Sequence, residues 1–160
     1  KMNFKKNIEI YLSGSIDRKG DQHYPYWTIK EEKLLSDLFH SYSVECTILN
    51  PNNSAYQRET DEIYKSELNF IKRCSLVLVE LSLRRGIGVG VEMYHAKLNN
   101  VPVFSIAPNN SYYRNDDWIH PFIKNLSTII VEDIGELIQY LNDKSVINTL
   151  IKKRVFTKKI

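Results

Sequence analysis

Three of the chain's six glycines, Gly86, Gly88 and Gly90, fall in one five-residue stretch, GIGVG, and a glutamate, Glu92, stands two residues beyond the last of them. Glycine lacks a Cβ, so it lets backbone come close to a bound molecule and fits tight turns. The stretch follows an apolar run, LVLVEL, and leads into a helical-looking one. A glutamate there is expected in the first helical turn, facing a crevice, where the helix dipole and the free N–H groups favour the ionised carboxylate. Such a carboxylate can attack an anomeric carbon. Three readings of the glycines compete. A dinucleotide-binding G-x-G-x-x-G turn fails at its third glycine, where Val91 stands, and follows the third expected strand rather than the first. A structural turn that packs a helix closely on a sheet explains any single glycine better than a cluster of three. The remaining reading joins the glycines to Glu92 as a ligand-facing nucleophile, against plain charge complementation at a helix start.

Stepping outward, strand-like and helix-like segments alternate. Residues 8–14 (IEIYLSG) read as a first strand, 46–51 (CTILNP) as a second, 76–81 (LVLVEL) as a buried third, 101–107 (VPVFSIA) as a fourth and 128–132 (TIIVE) as a fifth. Between them, 28–42 places Ile29, Leu34, Leu35, Leu38 and Phe39 on one helical stripe, and 60–74 does the same with Ile63, Tyr64, Leu68 and Ile71. Residues 91–99 read as a helix and 118–126 as a short amphipathic segment. Asp133 and Glu136, at capping-box spacing, open the last expected helix. This rhythm predicts an α/β fold, a doubly wound five-stranded parallel sheet with helices on both faces. Ligands in such sheets bind at the carboxyl ends of the strands. LSGSIDR, LNPNNS, LSLRRGIGVG and IAPNNSYYR occupy those ends. The expected organisation is one domain over residues 1–150 and a basic tail over 151–160.

Composition bounds the function. With 160 residues, 42% hydrophobic and 26% charged, the chain reads as a soluble globular domain. No apolar run approaches the ~20 residues of a membrane helix, and the short, alternating KMNFKKNIEIYLSG does not read as a signal peptide. Cys46 and Cys74 lack metal-ligand spacing and suit buried thiols in a reducing compartment, so a cytoplasmic location is expected. A net charge of +3 is too small to argue for nucleic acid. His23 and His40 show no partner pattern, His95 reads as a satisfied helix histidine, and neither a metal nor a cofactor is expected.

The segments IYLSGSI, IYKSELNFIKRCSLVLVELS and GIGVGVEMYHAKLNNVPVFSIAP together resemble the nucleoside 2-deoxyribosyltransferase superfamily, and within it the 2'-deoxynucleoside 5'-phosphate N-hydrolases. The likeness runs from about Ile8 to Pro108 and weakens onward to the last helix. It implies a compact flavodoxin-like (Rossmann-like) sheet and a homodimer with active sites shared between subunits. By this resemblance Glu92 aligns with the catalytic nucleophile and Tyr11 with a tyrosine that holds it. Glu67 falls where the family usually has an aspartate, the second catalytic carboxylate. Gly14, Ser15 and Ile16 fall on the loop lining the sugar and phosphate region. Ser75 replaces a frequent aspartate, Gly86 replaces a phosphate-binding serine, and His120 falls at the place of a second such serine lent by the partner. Arg18, Arg84, Arg85 and His120 are candidates to restore anion binding; surface charge, and a substrate without phosphate, is the competing reading.

The implied chemistry is cleavage of an N-glycosidic bond. Positive charge builds on the sugar, one carboxylate stabilises or traps it, and a second carboxyl protonates the departing base and then activates water. Passing the sugar to another base instead makes a transferase. A retaining pair is expected roughly 5–5.5 Å apart, with one pKa raised by the other's charge and Glu67 the proton carrier. Tyr24, Tyr26, Trp27 and Trp118 are candidates to stack on the base, or simply to anchor loops. The expected substrate is a nucleoside or nucleoside 5'-monophosphate. Two rivals stand beside it: a TIR-like NAD glycohydrolase, which would also use a glutamate in such a fold, and a non-catalytic nucleotide-sensing module.

Overall fold

The computed structural model describes residues 6–14, 26–52, 60–153 and 156. In chain order the elements are β1 (Lys6–Ser13), α1 (Ile29–Ser41), β2 (Val44–Leu49), α2 (Thr60–Arg73), β3 (Leu76–Glu80), α3 (Ile87–Leu98), β4 (Val103–Ile106), β5 (Arg114–Asn115), β6 (Trp118–Ile119), α4 (Pro121–Leu126), β7 (Ile129–Val131), α5 (Ile134–Leu141) and α6 (Lys144–Ile151). Five strands form one sheet in the order β2-β1-β3-β4-β7, every neighbouring pair parallel. This is the doubly wound, flavodoxin-like order, in which the chain reverses direction across the sheet between β1 and β3. The short antiparallel pair of β5 and β6 stands apart, in the connection after β4.

Period-two alternation along the strands builds two cores. Ile8, Ile10 and Leu12 of β1 join Leu35 and Phe39 of α1, Leu137 and Leu141 of α5, and Ile147 and Leu150 of α6 on one face. On the other, Tyr11, Val77 and Val79 meet Phe70 and Ile71 of α2 and Val89, Met93 and Ala96 of α3. β3, in the middle, is buried along its whole length, as its continuous apolar run requires. Sharp caps set the helix starts. Thr28 and Glu31 form a full capping box on α1, and the Asp133 side chain accepts from Glu136 N–H at 2.8 Å on α5.

Two elements differ from expectation. α3 begins at Ile87, not at residue 91, so the glycine stretch is the first helical turn rather than a turn before it. Glycine disfavours helix by about 1 kcal/mol against alanine, but burial of Val89 and Met93 on the sheet draws these residues into the helix. The helix opened by Asp133 is also not the last: α6 follows at once, capped by Asp143. Among the described residues, no helix is long and apolar enough to cross a membrane.

Candidate active site

The alternation of β1 puts Tyr11 and Ser13, two residues apart, on the face that α2 and α3 cover. Both are completely buried. Their hydroxyls converge on one carboxylate: Tyr11 O–H donates to Glu92 Oε1 at 2.8 Å, and Ser13 Oγ donates to Glu92 Oε2. Glu92 is 8% exposed. The Glu67 carboxyl, brought up from α2, is also buried, lies near enough to the Tyr11 hydroxyl for that group to lower its pKa, and places its own charge beside Glu92. Its Oε1 is buried with no hydrogen-bond partner among the described residues. The structure thus places Tyr11 and Ser13 on Glu92, with Glu67 beside them.

The electrostatics differ from expectation. Glu92 is the sixth residue of α3, and the first turn holds no acidic side chain. The free N–H groups of the helix start therefore do not hold its charge; two hydroxyls from β1 do. Burial is the dominant influence and pushes the Glu92 pKa up to about 7, with the Ser13 and Tyr11 hydrogen bonds opposing and the charge of Glu67 adding. Burial also raises Glu67, opposed by Tyr11. Both carboxyls rise, not one. Tyr11 is driven well above its usual value by burial and by both carboxylates, so it remains a proton donor. Donor count and burial pull in opposite directions. Glu92 has two hydroxyl donors that favour its anion, yet burial and the charge of Glu67 give it the larger rise, while Glu67 keeps an orphan oxygen.

The other expected residues form a second group. Gly86 caps α3 without a side-chain bond, and Gly88 and Gly90 lie within the helix. Nothing stands within 4 Å of where a Cβ would project from any of the three, so no intramolecular contact demands glycine there. Gly86 and Gly90 line a groove of about 380 Å³ with Tyr113 and His120. His120 caps α4, its Nδ1 accepting from Phe122 N–H at 3.3 Å. Arg85, a candidate anion binder, is instead ion-paired with the fully buried Glu80. Arg84 lies over the Tyr112 ring, 5.2 Å from its centroid. Ser15, Ile16 and Arg18, with His23 and Tyr24, lie outside the described residues.

Gly14 and Trp27 explain each other. A Cβ on Gly14 would meet the Trp27 ring at 3.3 Å, and Trp27 Nε1 donates to the Ser13 carbonyl at 2.8 Å. Trp27 is 1% exposed. It clamps the end of β1 and does not present a face for stacking. Trp118 remains exposed. His95 Nε2 lies 3.0 Å from the Leu68 carbonyl, a satisfied helix histidine as expected. Among the described residues no three His, Cys, Asp or Glu side chains gather as a metal site would require. Sequence reasoning passed over Ser13, although its spacing from Tyr11 on an alternating strand places both on one face. It also passed over Glu80 and Tyr113, which no motif marks.

No family model and no curated protein sequence matches the chain. Solved structures do. The CMP N-glycosidase BcmB of Clostridium botulinum aligns at TM-score 0.51 and 16% identity, covering 84% of this chain and 99% of that one. BlsM aligns at TM-score 0.50 and 13% identity, covering 93% and 92%. A 3-dehydroquinate dehydratase-like protein from Bifidobacterium longum aligns at TM-score 0.50 and 9% identity, covering 91% and 98%. The third bears a name of quite different chemistry, so what the three share with this chain is architecture, and activity has to be argued from the site. The chain has the flavodoxin-like fold that its sequence resemblance implied, and a CMP N-glycosidase stands among its structural neighbours.

Proposed function

We propose that the protein is an N-glycosidase of nucleosides or nucleoside 5'-monophosphates that works through a glutamate nucleophile, Glu92. One observation carries the reading: a buried carboxylate, Glu92, is held by the Tyr11 and Ser13 hydroxyls, and a second buried carboxyl, Glu67, lies beside the same tyrosine and keeps an unpartnered oxygen. The Glu92 carboxylate attacks C1' of the sugar. The electron pair of the C1'–N bond leaves with the base, which takes the Glu67 proton. The resulting glycosyl ester on Glu92 is cleaved by water, whose proton returns to Glu67 as the oxygen bonds to C1'. Tyr11 and Ser13 orient the nucleophile and moderate its charge. A nucleoside acceptor in place of water would make the same site a deoxyribosyltransferase.

The likeness of fold to a CMP N-glycosidase supports this reading and directs the first substrates to be tried. Arg85 is engaged by Glu80, so recognition of a 5'-phosphate falls to Arg18, Arg84 and His120 in this scheme, with Gly14, Ser15 and Ile16 and the open glycine face of α3 against the sugar. The protein is also proposed to work as a homodimer in the cytoplasm, with residues 109–120 of one subunit beside the pocket of the other, and with no metal or cofactor.

The test is a chromatographic screen of ribo- and deoxyribonucleosides, with and without 5'-phosphate, and of NAD. Free base from at least one nucleoside or nucleotide is expected. Free nicotinamide from NAD alone would transfer the activity to NAD glycohydrolysis, and tight nucleotide binding with no release over hours would make the protein a sensor.

A further inference from the structure

The start of α3 is weak by composition. Its cap, Gly86, offers no side-chain hydrogen bond, and Gly88 and Gly90 each disfavour helix. What fixes it lies one residue earlier. Tyr113, in the loop after β4, brackets Arg85: its hydroxyl accepts from Arg85 N–H at 2.8 Å and donates toward the Arg85 carbonyl at 3.3 Å. The Arg85 side chain meets the Glu80 carboxylate and its Nε donates to the Glu80 carbonyl at 3.2 Å. Glu80 in turn accepts from Ser82 N–H at 2.7 Å. The whole connection from β3 to α3 is therefore pinned by a buried charge at one end and a tyrosine at the other. Tyr113 ties a second element to it, since its carbonyl accepts from His120 N–H at 2.8 Å.

We infer that Tyr113 is a positioning residue, which locks the loop carrying His120 to the helix carrying Glu92 so that the groove and the carboxylates keep a fixed relation. The catalytic part of this inference rests on the function proposed above; the mechanical coupling does not. A molecule that contacts the loop then acts on the placement of Glu92 through one phenolic oxygen.

Tyr113→Phe deletes both bonds to Arg85 and keeps the ring. Hydrogen exchange, which needs no substrate, is expected to quicken about tenfold or more across residues 84–91, with β1 and β3 unchanged. With CMP as probe, or whichever nucleoside or nucleotide the screen identifies, kcat is expected to fall about tenfold while KM stays within about twofold, the pattern of lost alignment rather than lost binding. Tyr42→Phe, which deletes a tyrosine hydroxyl bonded to Asn142 on the opposite side of the sheet, serves as the control and leaves both readouts alone. Should Tyr113→Phe fold poorly, Arg85→Lys loosens the Glu80 anchor while retaining its charge and is expected to move the same amides less far. Unchanged exchange overturns the coupling, and faster exchange with parental kcat overturns the positioning of Glu92. If the parent releases no base from any substrate, the proposed function falls and the exchange result alone decides the coupling.

Discussion

Glu92 is a buried acid whose charged form is opposed by burial and favoured by two hydroxyls, and both effects can be measured. Its folded pKa is raised to about 7 from 4.5, so the folded state binds its proton more tightly than the unfolded chain does. The stability this contributes is fully present below about pH 4.5 and is lost as the pH rises through about 7, an effect of about 3 kcal/mol. Glu67 is raised in the same direction. Glu92→Gln, neutral at every pH, is therefore expected to unfold at a higher temperature than the parent at pH 8, with the difference shrinking by pH 5; thermal melts at both values check it. Ser13→Ala removes one donor from the anion, so the acid limb of kcat/KM is expected to move to higher pH and activity at pH 6 to fall more than activity at pH 8. Tyr11→Phe loses a hydrogen bond to a charged group worth about 1.5–3 kcal/mol, a fall in kcat smaller than that of Glu92→Gln. Tyr11, Glu67 and Glu92 were legible in the sequence because each sits in a segment that resembles a known family. Ser13 was legible only through strand periodicity, and the partnership of Glu80 with Arg85 was not legible, because a carboxylate at the end of an apolar strand carries no sign of what will neutralise it.

At the scale of elements, α3 is where local propensity and tertiary packing disagree. Three glycines read as a turn, yet the apolar contacts of Val89 and Met93 draw two of them, Gly88 and Gly90, into the helix and leave Gly86 as its cap. The sequence holds both signals, and only the packed sheet decides between them. α6 was missed for a related reason, its β-branched and polar residues giving no strong helical stripe until Ile147 and Leu150 meet β1 and α5. The strands were easier, since apolar runs separated by helices leave little choice of assignment. The glycines themselves allow a sharp test. With open space around Gly90, Gly90→Ala is expected to stabilise α3 by about 1 kcal/mol and raise the melting temperature by a few degrees. If glycine is there for close approach of a ligand, KM rises at the same time; a stabilised variant with parental KM would assign the glycine no role in binding.

The molecule as a whole follows from strand–helix alternation, which predicts parallel strands, two helical layers and sites at the carboxyl ends, and the sheet order agrees. Quaternary structure is less visible in sequence, because an exposed apolar helix face and a buried one have the same periodicity. Here Ile87, Val91, Tyr94 and Leu98 of α3 form an exposed stripe at helical spacing. The proposed homodimer is expected to bury it. Sedimentation should give a dimer for the parent and a monomer for Val91→Glu with Tyr94→Glu, and a monomeric parent with full activity would remove the shared site from the mechanism. The central claim, that a buried glutamate forms the bond to the sugar, is tested most directly by base release from Glu92→Gln. The variant, folded by its melting transition and assayed on the best parental substrate, is predicted to release free base at least about a thousandfold more slowly than the parent, whereas a rate near the parental one would contradict the nucleophile and the two-carboxylate mechanism with it.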